Sequence, residues 1–294
     1  MISFPSAVRY VVMNVKMRST EPVRLPEWFS STVRGALGTE LINNYCNLTE
    51  TKCELCKKKC PAGILFAGDP HYTKEQVVSP YIISGDEFDG ENLTFKITLF
   101  SNAVAAANDV VSVLKKGLSL GAGRNRFELV SVTDDETGDV IFDGAIQTEP
   151  EIRSFGCSPE CSFESISTVR VDFVTPYNCK TETGKFTFET LVRAMLRRIS
   201  SVYRMEGTEL EIDYNAVIER ASQLETAEQS FRNRRTQRYS NRSGSKMDVT
   251  GFTGYAVYKG DLKEFMPLLR LTEIIHAGKL CVMGLGEIKV TVIE

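Results

Sequence analysis

Three groups of residues in this 294-residue chain have types and spacings that could do chemistry. The first is Cys46, Cys53, Cys56 and Cys60, four thiols within 15 residues, two of them as Cys-x-x-Cys, with Pro61 after the last. Four thiolates can close a tetrahedral structural zinc site at Zn–S distances of about 2.3 Å. An iron–sulfur cluster is the alternative, because a Cys-x-x-Cys run ending in Cys-Pro also holds clusters. Four free buried thiols is the plain reading. The second group closes the chain, His276-Ala-Gly278-Lys279 leading to Gly284-Leu-Gly286. Glycines cluster in this way where backbone takes φ > 0 or passes close to another backbone or a phosphate. His276, one of only two histidines, stands at the mouth of that loop. The third group is Phe231 to Lys246, with Arg232, Arg234, Arg235, Arg238, Arg242 and Lys246, no acidic residue, and the aromatics Phe231 and Tyr239. A charge run is usually a solvated face; this one, without acids and interleaved with aromatics, suits RNA or another polyanion. His71 and the sparse Cys157, Cys161 and Cys179 are too isolated to define a site.

The elements that must position these groups follow from periodicity. Val8 to Met17 reads as a strand, and Trp28 to Tyr45 as a helix with Val33, Leu37, Leu41 and Ile42 at helical spacing. Gly35 and Gly38 inside that helix suggest close packing, or a ligand beside it. Asn92 to Phe100 is a period-two strand, and Ser101 to Leu114 a helix with Ser101 as a candidate N-cap. A first glycine loop, Gly117 to Gly123, precedes the strand Arg126 to Val132 and a short strand Asp139 to Phe142. Gly144 to Ser165 reads as a linker. The plan then repeats: strand Thr168 to Val174, helices Phe186 to Tyr203 and Tyr214 to Glu225, strand Phe252 to Tyr258, a helix from Asp261 towards Ile275, the closing loop and a last strand. Both halves run strand, helix, strand or strands, helix, glycine loop, strand. The expectation is an α+β protein of two tandem ferredoxin-like (βαββαβ) domains. They span 1–150, with a cysteine-rich insertion at about 46–90, and 166–294.

Composition bounds the partners. The net charge is −3, yet from Ile166 onward there are 19 Lys/Arg against 16 Asp/Glu, and before it 16 against 22. A polyanion is therefore expected on basic patches of the second half. The longest apolar runs fall far short of the roughly 20 residues of a membrane span, and no signal peptide opens the chain, so a soluble cytoplasmic protein is expected.

The ordered set of Arg34-Gly-Ala-Leu-Gly38, Cys60-Pro-Ala-Gly-Ile-Leu-Phe66, Gly117 to Gly123, Thr175-Pro176, Gly251-Phe-Thr-Gly-Tyr255, Tyr258-Lys-Gly-Asp-Leu262 and the closing His276-Ala-Gly-Lys279 with Gly284-Leu-Gly286 resembles one family. It is that of the CRISPR-associated endoribonucleases that process precursor CRISPR RNA, within the RAMP superfamily. The resemblance implies two ferredoxin-like domains whose glycine loops, with Gly278, Gly284 and Gly286, hold CRISPR repeat RNA. It also implies cleavage without a catalytic metal: a 2′-hydroxyl attacks the adjacent phosphate, leaving 2′,3′-cyclic phosphate and 5′-hydroxyl ends. Such chemistry needs a base, an acid and a cation. His276 is the candidate proton carrier, Lys279 the cation, and Tyr45 and Arg34 are second-tier candidates on the first helix. The chain has no histidine from Met1 to Pro70, where several relatives place a catalytic one. The alternative within the resemblance is a non-catalytic RNA-binding subunit of a CRISPR effector complex, as monomer or homodimer.

Overall fold

A computed structural model describes residues 2, 4–46, 60–67, 78–121, 123–156, 165–179, 186–240 and 245–294. They form two compact units, Val8–Ser154, and Phe155–Glu294 together with Met1–Ala7. Each is a layer of helices on an antiparallel sheet, a mixed α+β construction.

In the first unit, β1 (Val8–Ser19) alternates buried and open residues, and Val11, Met13, Val15 and Met17 are fully buried on one side. Helix α1 (Ser30–Tyr45) begins two residues later than the periodicity suggests and covers that side with Val33, Leu37 and Leu41. After a π-helical turn (Gly63–Ala67) come β2 (Tyr81–Phe88) and β3 (Asn92–Phe100). A 3₁₀ turn (Ser101–Ala106) then leads into α2 (Ala107–Lys115), so the expected single helix is split. Ser101 is no cap: its φ is +56° and its hydroxyl is buried without a hydrogen-bond partner. The first glycine loop contains a strand that period-two alternation could not reveal in three residues. This β4 (Leu118–Leu120) pairs with β5 (Asn125–Asp134), followed by β6 (Val140–Phe142). The main sheet order is β2-β3-β1-β5-β4, with β6 on β5. The expected linker also holds a short strand, β7 (Arg153–Phe155), which pairs β1.

The second unit runs β8 (Thr168–Tyr177), α3 (Phe188–Met205), α4 (Tyr214–Ser222), β9 (Glu225–Ser240), β10 (Ser245–Lys259), α5 (Met266–Ile275) and β11 (Ile288–Val292). Its sheet order is β11-β8-β10-β9. Thr175-Pro176 lies inside β8 rather than closing it. Thr187 caps α3, its Oγ1 accepting the Thr190 amide, and Asp213 caps α4 in the same way through Ala216. The buried stripe of α3, Leu191, Met195, Leu196 and Ile199, lies in the same core as Val169, Val171 and Phe173 of β8. Each such side chain contributes about 1.5–3 kcal/mol of transfer free energy. The N-terminal segment belongs to this unit: Phe4 stacks on Tyr203 of α3 at 5.7 Å, and the Tyr203 hydroxyl donates to the Ser6 carbonyl.

The basic stretch, which no periodicity assigned, is part of a hairpin. β9 and β10 pair without interruption from Glu225↔Lys259 to Ser240↔Ser245, apart from one register shift.

Candidate functional site

The closing loop grows out of the C-terminus of α5. His276 caps that helix with φ +55° and ψ 173°, a backbone region that glycine alone occupies comfortably and that costs another residue about 1–3 kcal/mol. Its amide donates to Thr272 O, and Arg198 of α3 donates Nε to the last helical carbonyl, Ile275 O, at 3.1 Å. His276 is 5% exposed, with Nδ1 of its imidazole 3.1 Å from Leu285 O. A carbonyl only accepts, so this bond assigns the proton to Nδ1. The main chain closes beside it: Ala277 N–H donates to Gly286 O, Gly286 N–H to Pro176 O, and Lys279 N–H to Asn178 O at 2.9 Å.

The close approach demanded of the glycines is to the protein's own backbone. A Cβ at Gly286 (φ +73°) would lie 1.8 Å from Ala277 O, and one at Gly278 (φ +100°) 2.7 Å from Asn178 O. Gly284 takes the left-handed conformation after a 3₁₀ turn, Cys281–Met283. Lys279 is exposed on the loop.

Asn178 joins this loop to the hairpin. Its carbonyl receives the Lys279 amide, while Nδ2 donates to Thr250 O at 2.7 Å and to Thr250 Oγ1 at 3.2 Å. Thr250 pairs with Arg235, and Gly251 with Arg234. Lys279, Asn178 and the Arg234–Arg235 segment therefore belong to one connected polar region. Arg232, Arg234 and Arg235 are exposed. Arg235 pairs with Asp248 at 2.7 Å, and Phe231 turns inward onto Phe252, their ring centroids 4.5 Å apart. Arg238 and Lys246 face Met247 and Tyr239 in the ladder, with side chains outside the described residues, as is the whole of Arg242. Asn178 was missed by sequence reasoning; its one signal is its place just after a strand that ends Thr-Pro-Tyr. Nearby, burial pushes the Cys179 thiol up to about 11, against the pull of Arg197 and Lys279.

The first-unit candidates are held by side chains of their own unit. Arg34 Nε donates to Tyr81 OH at 2.7 Å, and its guanidinium lies 5.5 Å over Phe66. The same ring would meet a Cβ on Gly38 at 3.3 Å, so the Arg34–Gly38 and Cys60–Phe66 motifs are two sides of one contact. Gly35 has nothing comparable near it. Tyr45 is pushed up to about 12 by burial and then by its hydrogen bond with Asp109. Of the cysteine set, Cys46 caps α1, and Cys60 Sγ accepts the Gly63 amide at 3.3 Å. Cys53 and Cys56 lie outside the described residues, as do His71, Cys157 and Cys161. Among the described residues no three His, Cys, Asp or Glu side chains are grouped for a metal, and no helix is long and apolar enough to cross a membrane.

Residues 171–288, from β8 through the hairpin and closing loop into β11, match the family of the CRISPR-associated endoribonuclease Cas6. The product complex of a Cas6 protein superposes with a TM-score of 0.62 at 15% identity, over 96% of this chain and 100% of that one. Over residues 171–288 the chain is similar to the Cas6 family. Residues 8–152 match a second family described as an N-terminal domain, with limits close to those of the first unit. Thermus thermophilus Cas6 gives a TM-score of 0.57 at 13% identity, over 98% of this chain and 100% of that one. At these identities the likeness is one of fold. An uncharacterized protein of Archaeoglobus fulgidus is 24% identical over 277 residues, 90% of this chain and 92% of that protein.

Proposed function

We propose that this protein binds CRISPR repeat RNA and cuts it as a metal-independent endoribonuclease. The 2′-oxygen would form a bond to the adjacent phosphorus and lose its proton to solvent water. The bond from phosphorus to the 5′-oxygen would break as that oxygen takes a proton, leaving 2′,3′-cyclic phosphate and 5′-hydroxyl ends. One observation carries the reading: the segment matching the Cas6 family encloses the connected polar region of exposed Lys279, Asn178, Arg234 and Arg235. Lys279 would meet phosphate charge, and the arginines the RNA backbone. Tyr45, protonated at neutral pH, has a proton to give to a departing oxygen. In this reading each unit is a ferredoxin-like βαββαβ fold. The matching orders of their sheets support it, β2-β3-β1-β5 in one and β9-β10-β8-β11 in the other.

A second reading, an RNA-binding subunit of a CRISPR effector complex that does not cut, is favoured by the burial of His276 and by the engagement of Tyr45 with Asp109. Incubation with the repeat RNA encoded beside the gene, in EDTA, with product ends mapped, separates the two. A single cut with the stated ends supports the enzyme; tight binding with no cut at high protein concentration supports the subunit. We further propose that Cys46, Cys53, Cys56 and Cys60 hold a structural zinc. About one zinc in a colourless protein is expected, and an iron–sulfur absorption band would replace that assignment.

A further inference from the structure

We infer that His276 is a positioning residue, a latch that holds the closing loop in its RNA-receiving shape through the Leu285 carbonyl. The inference rests on reading this loop as an RNA-holding element, and it applies whether or not the RNA is cut. Three observations meet at this residue. Its backbone, φ +55° and ψ 173°, is one that glycine fits and histidine does not. In a loop already rich in glycine, a side chain kept at such a point has to be held there by its surroundings. The imidazole is buried, and Nδ1 donates across the neck of the loop to Leu285 O. Beside it the Ala277–Gly286 backbone bond closes the same neck, so the side chain and the main chain grip residues 277–286 from adjacent points. Between those grips lies the part that would face RNA: Gly278, Lys279 and the 3₁₀ turn at Cys281–Met283, with the Lys279 amide on Asn178 O. A loop pinned at its neck presents Lys279 without first having to be ordered, and that pre-organisation is a gain in affinity.

Asparagine separates this role from proton transfer. Its Nδ2 can occupy the place of Nδ1 and donate to the same carbonyl, it tolerates positive φ better than most residues, and it does not titrate near neutral pH. His276→Ala removes the donor, and His276→Gly removes both the donor and the strain.

The first arm needs no RNA. Hydrogen exchange at the Ala277 and Lys279 amides is expected to be about tenfold faster in His276→Ala and His276→Gly and within about threefold of the parent in His276→Asn, the scale of one hydrogen bond. A nitrogen spectrum of the imidazole is expected to show the proton on Nδ1. The second arm measures binding of the repeat RNA encoded beside the gene, and its cleavage where cleavage occurs. His276→Ala is expected to weaken binding about tenfold, and His276→Asn to restore binding and leave the pH–rate profile unchanged. The inference is overturned if exchange in His276→Ala matches the parent. It is equally overturned if His276→Gly binds as well as the parent, or if His276→Asn binds normally yet cuts at least a hundredfold more slowly. Absence of RNA binding in the parent protein would count against the proposed function alone, since exchange and the tautomer still decide the latch.

Discussion

The two glycine loops occupy the same place in the element order of their units, between the second main helix and the strand that follows, yet they are built differently. The first folds back as a hairpin: Leu118 and Leu120 of β4 are fully buried, and Leu118↔Phe127 and Leu120↔Asn125 fix the ladder. The closing loop has no ladder. It is held by separate main-chain bonds to β8 and its following residues and by the imidazole of His276, and it carries two non-glycine residues, His276 and Leu280, at positive φ. Regular pairing needs only backbone and a few apolar side chains. A loop held by individual contacts leaves its remaining groups free for a ligand, but each contact then matters singly.

The largest expected effect tests that last point. Gly286→Ala would drive a Cβ to 1.8 Å from Ala277 O, and a cost above about 3 kcal/mol in urea unfolding is expected. Gly117→Ala, at 2.6 Å from Phe127 O in the hairpin loop, should cost less. The reverse order would break the contrast. Leu120→Ala should cost about 2–4 kcal/mol through the cavity it leaves, with RNA binding by the refolded protein little changed.

Acid probes the strand behind the first loop. β5 ends in Asp134, for which burial alone would raise the carboxyl. The bidentate Arg153 guanidinium, at 2.7 and 2.8 Å, and the Thr137 and Glu136 amides outweigh burial and hold it at about 2. A depressed carboxyl stabilises the fold above its unfolded value, near pH 4, and that contribution disappears as pH falls through about 2. On the order of 2 kcal/mol of stability should be lost over that window, and an acid titration of the unfolding midpoint would show it. An Arg153→Met variant that loses as much over the same window would remove Arg153 as the cause.

Two smaller effects sharpen the account of the closing loop. Lys279→Ala should leave stability within about 0.5 kcal/mol and weaken RNA binding roughly tenfold, with a shallower salt dependence. Arg235→Ala removes an exposed pair with Asp248 and should cost under about 1 kcal/mol of stability, seen as a small shift in midpoint.

Much of this was legible in the residues alone. Local spacing placed Asn92–Phe100 to the residue, because apolar side chains alternate there against one covered face. It also placed α3, two residues early at each end, while β2, β4 and β7 went unassigned. β9 escaped because its residues, Glu225 to Ser240, are polar on both faces, and a strand without a one-sided apolar face carries no period-two signal. Arg34 drew notice as a cation, while its tie to Tyr81 joins residues 47 apart in sequence.

What the sequence determined by itself was the local record: covered faces, the places where glycine is required, and the basic residues of the second half. Tertiary structure decided what those features answer to. Gly286 is required by a carbonyl nine residues earlier and Gly278 by one a hundred residues earlier. The imidazole of His276 is fixed by Leu285 O rather than by any property of its neighbours in the chain. Periodicity records which side of a segment is covered; the position of a distant carbonyl exists only once the strands and helices have packed.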